Sequence, residues 1–292
     1  MYNSALARMI PGSRNSINLH RCGVAGSQAK TPVLASHRQI ASAIRLAHSR
    51  FLLRFMSRFT TGFLAALGLI SLVTAAAAHA QRPDAALADL PVTEVPAATG
   101  QTLAVFWSGD GGWAALVSSV SKELAANGVA VVGINARAWM ERTARTPDDA
   151  ARDTERLLRA YLARWSRSKI VLLGYSRGAG FAPFIVNRLP ADLRERVQLV
   201  GLLGAEHNTS FEFHFLDLVK TTKRPTDIPV LPEVQRSAST RYFCLYGTTE
   251  EDTICPQLDS TRVRVVARTG DHHFDRNYPA IAQDILRAIP VK

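Results

Sequence analysis

The chain has 292 residues and a formal charge of +11, from 35 Lys and Arg against 24 Asp and Glu. Spread evenly, that excess would point to nucleic acid or an anionic membrane. It is not spread evenly: residues 1–80 hold nine Lys and Arg and no acid, which leaves 26 basic against 24 acidic residues, a net of +2, in 81–292. A nearly neutral folded part excludes a nucleic-acid-binding class argued from charge.

From the N-terminus, Met56-Ser57-Arg58, the apolar run Phe63 to Val73 and Ala78-His79-Ala80 read as the basic region, hydrophobic region and cleavage site of a signal peptide over 56–80. The strongly apolar stretch is shorter than the ~20 residues of a membrane-spanning helix. Cleavage after Ala80 would make Gln81 the mature N-terminus. Residues 1–55 are Arg-rich and acid-free. They are either a transit peptide or upstream sequence ahead of a true start at Met56, and the second is preferred because a signal peptide normally begins its chain. Cys22 falls in that discarded part, so an exported chain would keep Cys244 and Cys255, either bridged around 245–254 or left as two thiols. Without further Cys or paired His they are not a zinc pattern.

Residues 81–100, with Pro83, Pro91 and Pro96, predict an extended segment with one edge strand. Leu103 to Trp107 and Val129 to Ile134 are buried strands flanking a helix from Trp113 to Ala126, which Asn127-Gly128 closes. Thr146-Pro147-Asp148-Asp149 supplies an N-cap, a Pro in the first turn and acids at the positive end of a helix to about Trp165. Ile170 to Leu173, Val197 to Leu203, Tyr242 to Tyr246 and Val263 to Ala267 are further strands, with helices over Ala179 to Leu189 and Asn277 to Ile289. Short β-branched strands alternating with helices predict one α/β domain over 81–292, a mostly parallel sheet covered by helices on both faces. Ala205 to Arg236 breaks the rhythm, and a long aperiodic stretch in a compact domain marks a candidate lid.

Gly174-Tyr175-Ser176-Arg177-Gly178 stands between a buried strand and a helix. That setting is a nucleophile elbow, with a serine at the apex of a sharp turn and glycines where side chains would clash. A serine nucleophile needs a base, and the base an orienting acid, in the chain order Ser, acid, His. Asp252, five residues beyond Gly247, is the expected acid; its neighbours Glu250 and Glu251 could take the role but are read first as solvated loop acids. Gly270-Asp271-His272-His273 follows the last strand, and His272 is preferred to His273 as the base. The oxyanion donors are expected from the backbone N–H of Arg177 and of Asp110, the latter in the loop Ser108-Gly109-Asp110-Gly111-Gly112-Trp113. The dinucleotide fingerprint G-x-G-x-x-G is absent from that loop, and no metal or cofactor is implied.

These residues resemble the VirJ/AcvB bacterial virulence-protein family, a branch of the α/β-hydrolases. The likeness runs from about Leu103 to Phe274. It includes Ser108 to Trp113, Arg145-Thr-Pro-Asp-Asp-Ala150, the elbow, Asn187-Arg-Leu-Pro190, Phe211-Glu212-Phe213-His214 in the lid and the histidine loop. Arg177 and Gly180 depart from the family elbow, which carries Phe and Asp there. The resemblance implies an α/β-hydrolase fold, a periplasmic location and a Cys244–Cys255 pair bracketing the acid. It also implies one of two roles: hydrolysis of an aminoacylated phospholipid such as lysyl-phosphatidylglycerol at the inner-membrane surface, or a non-catalytic place among type IV secretion proteins. With Gly180 in place of an acid, Glu212, then Glu206, is the expected partner of a substrate ammonium. His214 stands beside Glu212, and Phe211, Phe213 and Phe215 face either acyl chains or the core.

Overall fold

The computed structural model describes residues 85–141, 143–213, 224–237 and 239–290. The expectations for 1–55 and 56–80, and those for His214 and Phe215, lie outside the described residues. None of the described helices is long and apolar enough to cross a membrane.

In chain order the strands are β1 (Val92–Val95), β2 (Thr102–Trp107), β3 (Val129–Ile134), β4 (Lys169–Tyr175), β5 (Val197–Leu203), β6 (Asn208–Thr209), β7 (Ile228–Pro229), β8 (Tyr242–Gly247) and β9 (Val263–Arg268). The α-helices are α1 (Ala115–Ala126), α2 (Ala136–Met140), α3 (Pro147–Arg164), α4 (Arg177–Arg188), α5 (Ala191–Arg194), α6 (Leu231–Arg236) and α7 (Tyr278–Ala288). Seven strands form one sheet in the order β1-β3-β2-β4-β5-β8-β9, in which the first pairing is antiparallel and the rest are parallel. This is the α/β-hydrolase arrangement.

The central strands β2 and β3 are buried at every position because both faces are covered, whereas the edge strands β1 and β9 carry exposed polar residues. Leu103, Val105 and Trp107 of β2 enter one core, while Ala104 and Phe106 enter the other. The first core is closed by α3 and α4 and the second by α1 and α7. Helix α3 starts where the sequence said: Thr146 accepts from the Asp149 amide and Asp149 accepts from the Thr146 amide, a reciprocal capping box. It stops at Ser166, in the left-handed region at φ 52°, with Ser166 N–H bonded to Ala163 O and Arg167 N–H to Leu162 O. That pair of bonds is the Schellman closure.

The stretch expected as a lid is built in its described parts. β6 and β7 pair antiparallel, α6 follows, and Val230 N–H donates to His207 O. Phe211 is 3% exposed and stacked on Phe181 at 4.3 Å, so it is core rather than a surface for acyl chains. Phe213 packs partly buried against the same cluster, with the Arg137 guanidinium 5.3 Å from its ring.

Candidate active site

The parallel strands all end at one edge, and β4 ends there in the elbow. Ser176 has φ 55° and ψ −123°, outside the regions that non-glycine residues favour, a conformation that costs about 1–3 kcal/mol and persists only where surroundings impose it. The surroundings do so here. A Cβ on Gly174 would collide with the Gly178 carbonyl, and one on Gly178 would lie 2.6 Å from the Ser108 carbonyl. Ser176 N–H bonds Leu203 O at 2.8 Å, and its own carbonyl accepts from Ala179, opening α4.

His272 follows β9. Its Nδ1 lies 2.6 Å from Oε1 of Glu250, whose other oxygen accepts the Gly247 amide at 3.0 Å. The Glu250 side chain is 5% exposed. The acid that faces His272 is therefore Glu250, and not Asp252 as spacing predicted. Asp252 is turned away, 45% exposed, accepting from both the backbone N–H and Nδ1 of His207. The physical reason is the tight turn at the end of β8. Glu250 N–H bonds Gly247 O, so the chain doubles back and the longer Glu side chain caps its own turn while reaching the imidazole. A glycine ending a strand with Glu three residues on was the available signal.

Nε2 of His272, on the opposite side of the ring from Glu250, is buried and makes no hydrogen bond among the described residues. His273 is exposed, and its Nδ1 meets the Tyr175 hydroxyl at 2.9 Å rather than an acid. The same hydroxyl donates to the His272 carbonyl at 3.2 Å, so the residue before the serine braces the histidine loop. Three consecutive residues after the histidines, Phe274, Asp275 and Arg276, have φ between 49° and 57°, and this left-handed turn returns the chain toward α7. Burial alone would depress His272. The hydrogen bond and charge of Glu250, aided by Glu206 and Asp271, outweigh it and raise its pKa above 6.5.

The loop 108–113 crosses directly over the elbow, where a Cβ on Gly109 would be 2.8 Å from the Ser176 Cβ. Ser108 Oγ accepts the Ala136 amide at 3.0 Å, and the Trp113 ring fills the space a side chain at Gly133 would occupy, which pins both ends of the loop. Asp110 and Arg177, the two expected oxyanion donors, are thus neighbours, and their side chains are ion-paired. Ser176, His272, Asp110, Tyr175 and Glu206 line one cleft of about 520 Å³. Of the expected substrate acids, Glu206 lines it, with burial pushing its carboxyl pKa up against the opposing pull of His272. Glu212 is not among the described lining residues. Gly180 faces Thr209, whose side chain stands 2.6 Å from a Cβ built there, so the place of the family acid is filled.

Cys244 and Cys255 form a disulfide with Cα atoms 5.6 Å apart, both ends fully buried. It closes the loop that carries Glu250 and Asp252.

A family model described as bacterial virulence protein (VirJ) matches residues 101–292. No curated protein matches the sequence. Among solved structures the chain is similar to Est1E from Butyrivibrio proteoclasticus, at 12% identity, covering 68% of this chain and 92% of that one with a TM-score of 0.47. It is also similar to XC6422 from Xanthomonas campestris, described as an a/b serine hydrolase without lid, at 13% identity, 69% and 90% coverage and a TM-score of 0.47. The esterase domain of a Rhodothermus marinus protein follows at 17%, 68% and 89%, with a TM-score of 0.45.

Proposed function

The chain belongs to the bacterial virulence protein (VirJ) family, and from that premise and its side chains we propose that it hydrolyses ester bonds with Ser176 as nucleophile, His272 as base and Glu250 as the acid that orients it. The observation that carries the reading is an imidazole held through Nδ1 by a buried carboxylate, with an unbonded Nε2, at the cleft where a strained serine sits.

In that mechanism Nδ1–H donates to Glu250, leaving Nε2 as the acceptor. Ser176 Oγ attacks the acyl carbon as its proton passes to Nε2. The oxyanion is met by the backbone N–H of Arg177, in the first turn of α4 directly after the nucleophile, and by that of Asp110. Imidazolium then protonates the leaving alcohol, and the acyl-enzyme forms. Water gives its proton to Nε2 and attacks the acyl carbon, the tetrahedral adduct collapses with cleavage of its bond to Ser176 Oγ as the imidazolium returns the proton to that oxygen, and the acid departs.

For the substrate, an aminoacylated phospholipid such as lysyl-phosphatidylglycerol is supported by Glu206. This acid lines the same cleft as Ser176 and His272, where it could pair with an ammonium beside the scissile ester. A periplasmic site of action is supported by the signal-peptide pattern at 56–80 and by a disulfide suited to an oxidising compartment.

The test uses residues 81–292 purified with the disulfide intact. A short acyl ester should be turned over and a fluorophosphonate should label Ser176, with Ser176→Ala losing about 10³-fold or more. Glu206→Gln should weaken lysyl-phosphatidylglycerol hydrolysis in mixed micelles more than hydrolysis of a neutral ester. A Ser176→Ala protein that fully restores a deletion strain would instead make the chain a binding component of a secretion assembly.

A further inference from the structure

The side chain of Arg177 has no place in the mechanism above, yet it is one of the best-held groups near the cleft. Its guanidinium grips Asp110 with both prongs, Nε to Oδ1 at 2.5 Å and Nη2 to Oδ2 at 2.8 Å. Nη1 donates to the Ser210 carbonyl at 3.1 Å. The pair is 11% and 20% exposed, shielded enough for a bidentate contact to fix geometry rather than fluctuate as a surface pair would. The two residues are 67 apart in sequence, Arg177 directly after Ser176 at the start of α4 and Asp110 in the glycine-rich loop that crosses the elbow.

A glycine-rich loop is mobile unless something holds it. Gly109, Gly111 and Gly112 surround Asp110; Gly112 N–H bonds Gly109 O, and a Cβ on Gly111 would meet nothing within 4 Å. Ser108 and Trp113 anchor the loop at its ends, but Asp110 at its tip is fixed through its side chain. Oxyanion donors stabilise charge only when already aimed, since an amide that must reorient contributes little.

The geometry points to Arg177 as a double-duty residue: its backbone N–H is one oxyanion donor, and its side chain is a positioning group that aims the other, the N–H of Asp110. This rests on the esterase reading for its chemistry, though the clamp itself does not. The fork requires Arg, because a Lys ammonium keeps the charge and loses the two-point grip.

The experiment compares wild type, Arg177→Lys, Asp110→Asn and the double variant of residues 81–292. On a short acyl ester each single variant should lose about 30- to 300-fold in kcat, the range of a misplaced donor, with KM within about 3-fold. Affinity for a trifluoromethyl ketone, whose hemiketal oxyanion occupies the hole, should fall in proportion, while affinity for the product acid stays. A merely structural role would not produce that split. The double variant should be no worse than either single one, because the pair acts as a unit. Hydrogen exchange reads the clamp without turnover, and the Gly109–Gly112 amides should lose about 10-fold in protection in Arg177→Lys. Unchanged kcat in folded Arg177→Lys, additive losses, or unchanged exchange across 109–112 would each overturn the inference. A wild type that neither turns over nor labels, with exchange lost as expected, would remove the esterase reading and leave the clamp standing.

Discussion

Replacing Glu250 by Gln changes one oxygen for an amino group in a side chain whose two ends are already committed. Oε1 takes the His272 Nδ1 proton at 2.6 Å and Oε2 takes the Gly247 amide at 3.0 Å. A Gln has a single acceptor for these two donors. Keeping the oxygen on Gly247 turns the amide –NH2 toward Nδ1, which then has to accept, and the imidazole proton moves to Nε2. In that tautomer His272 cannot receive the serine proton. The opposite orientation sets –NH2 against the Gly247 N–H, leaving a buried donor unsatisfied at about 1–3 kcal/mol. The expected loss in kcat is about 10³- to 10⁴-fold, the size known for the equivalent change in a serine-protease triad. The pH profile gives an independent reading. In the proposed mechanism His272 acts as a neutral base, so kcat/KM should rise as pH climbs through its raised pKa, and without the Glu250 charge that limb should shift downward. For stability the sign is reversed. A raised histidine contributes fully below its unfolded value and loses that contribution as pH rises through the folded one, so Glu250→Gln should be most destabilised relative to wild type in the acid range. Steady-state rates from pH 5 to 9, with urea melts at the two ends, measure all three effects. Asp252→Asn is the control, and a few-fold loss is expected because Asp252 serves His207. If Asp252→Asn lost as much as Glu250→Gln, or the acid limb failed to move, the assignment of Glu250 would be wrong.

Removing the disulfide as Cys244→Ala with Cys255→Ala should cost about 2–3 kcal/mol for a loop of this length and lower the melting temperature by several degrees; intact mass before and after reduction and alkylation confirms the starting state. Ser166→Gly should stabilise by about 1 kcal/mol, since the exposed Ser166 holds the left-handed position of a Schellman closure without a side-chain role; equilibrium denaturation reads it, and a loss of stability would count against the described end of α3. Gly180→Asp, which installs the family acid, should fail to express as folded protein because Thr209 stands 2.6 Å from the new Cβ, while the same change combined with Thr209→Gly should recover a folded chain by circular dichroism.

The central strands were readable because β2, β3 and the middle of β4 are apolar runs buried on both faces, and the start of α3 because its cap is written in four adjacent residues. The elbow was readable for the same reason, as a local turn with local glycines. What escaped depends on where distant segments meet. Glu250 rather than Asp252 faces the imidazole through a turn whose hydrogen bonds return the chain on itself. The Arg177–Asp110 pair joins residues 67 apart. Glu206 reaches the cleft through the path of 204–209, which no periodicity encodes, and the left-handed run Phe274 to Arg276 carries none of the glycines that usually announce such a turn.

The position of β9 has a consequence for when the protein acquires chemistry. The proposed nucleophile, Ser176, directly follows β4 at the centre of the sheet, whereas the proposed base, His272, comes after β9, which is the last described strand in sequence and the outermost of the sheet. Domains form from the N-terminus as the chain emerges, and long-range parallel pairings close late. A chain halted before β9 can already hold the elbow, the oxyanion loop and the Glu250 turn, yet has nothing to take the serine proton. Under the proposed mechanism, ester cleavage would therefore await docking of the C-terminal edge, and a chain cut short before β9 should leave a short acyl ester untouched.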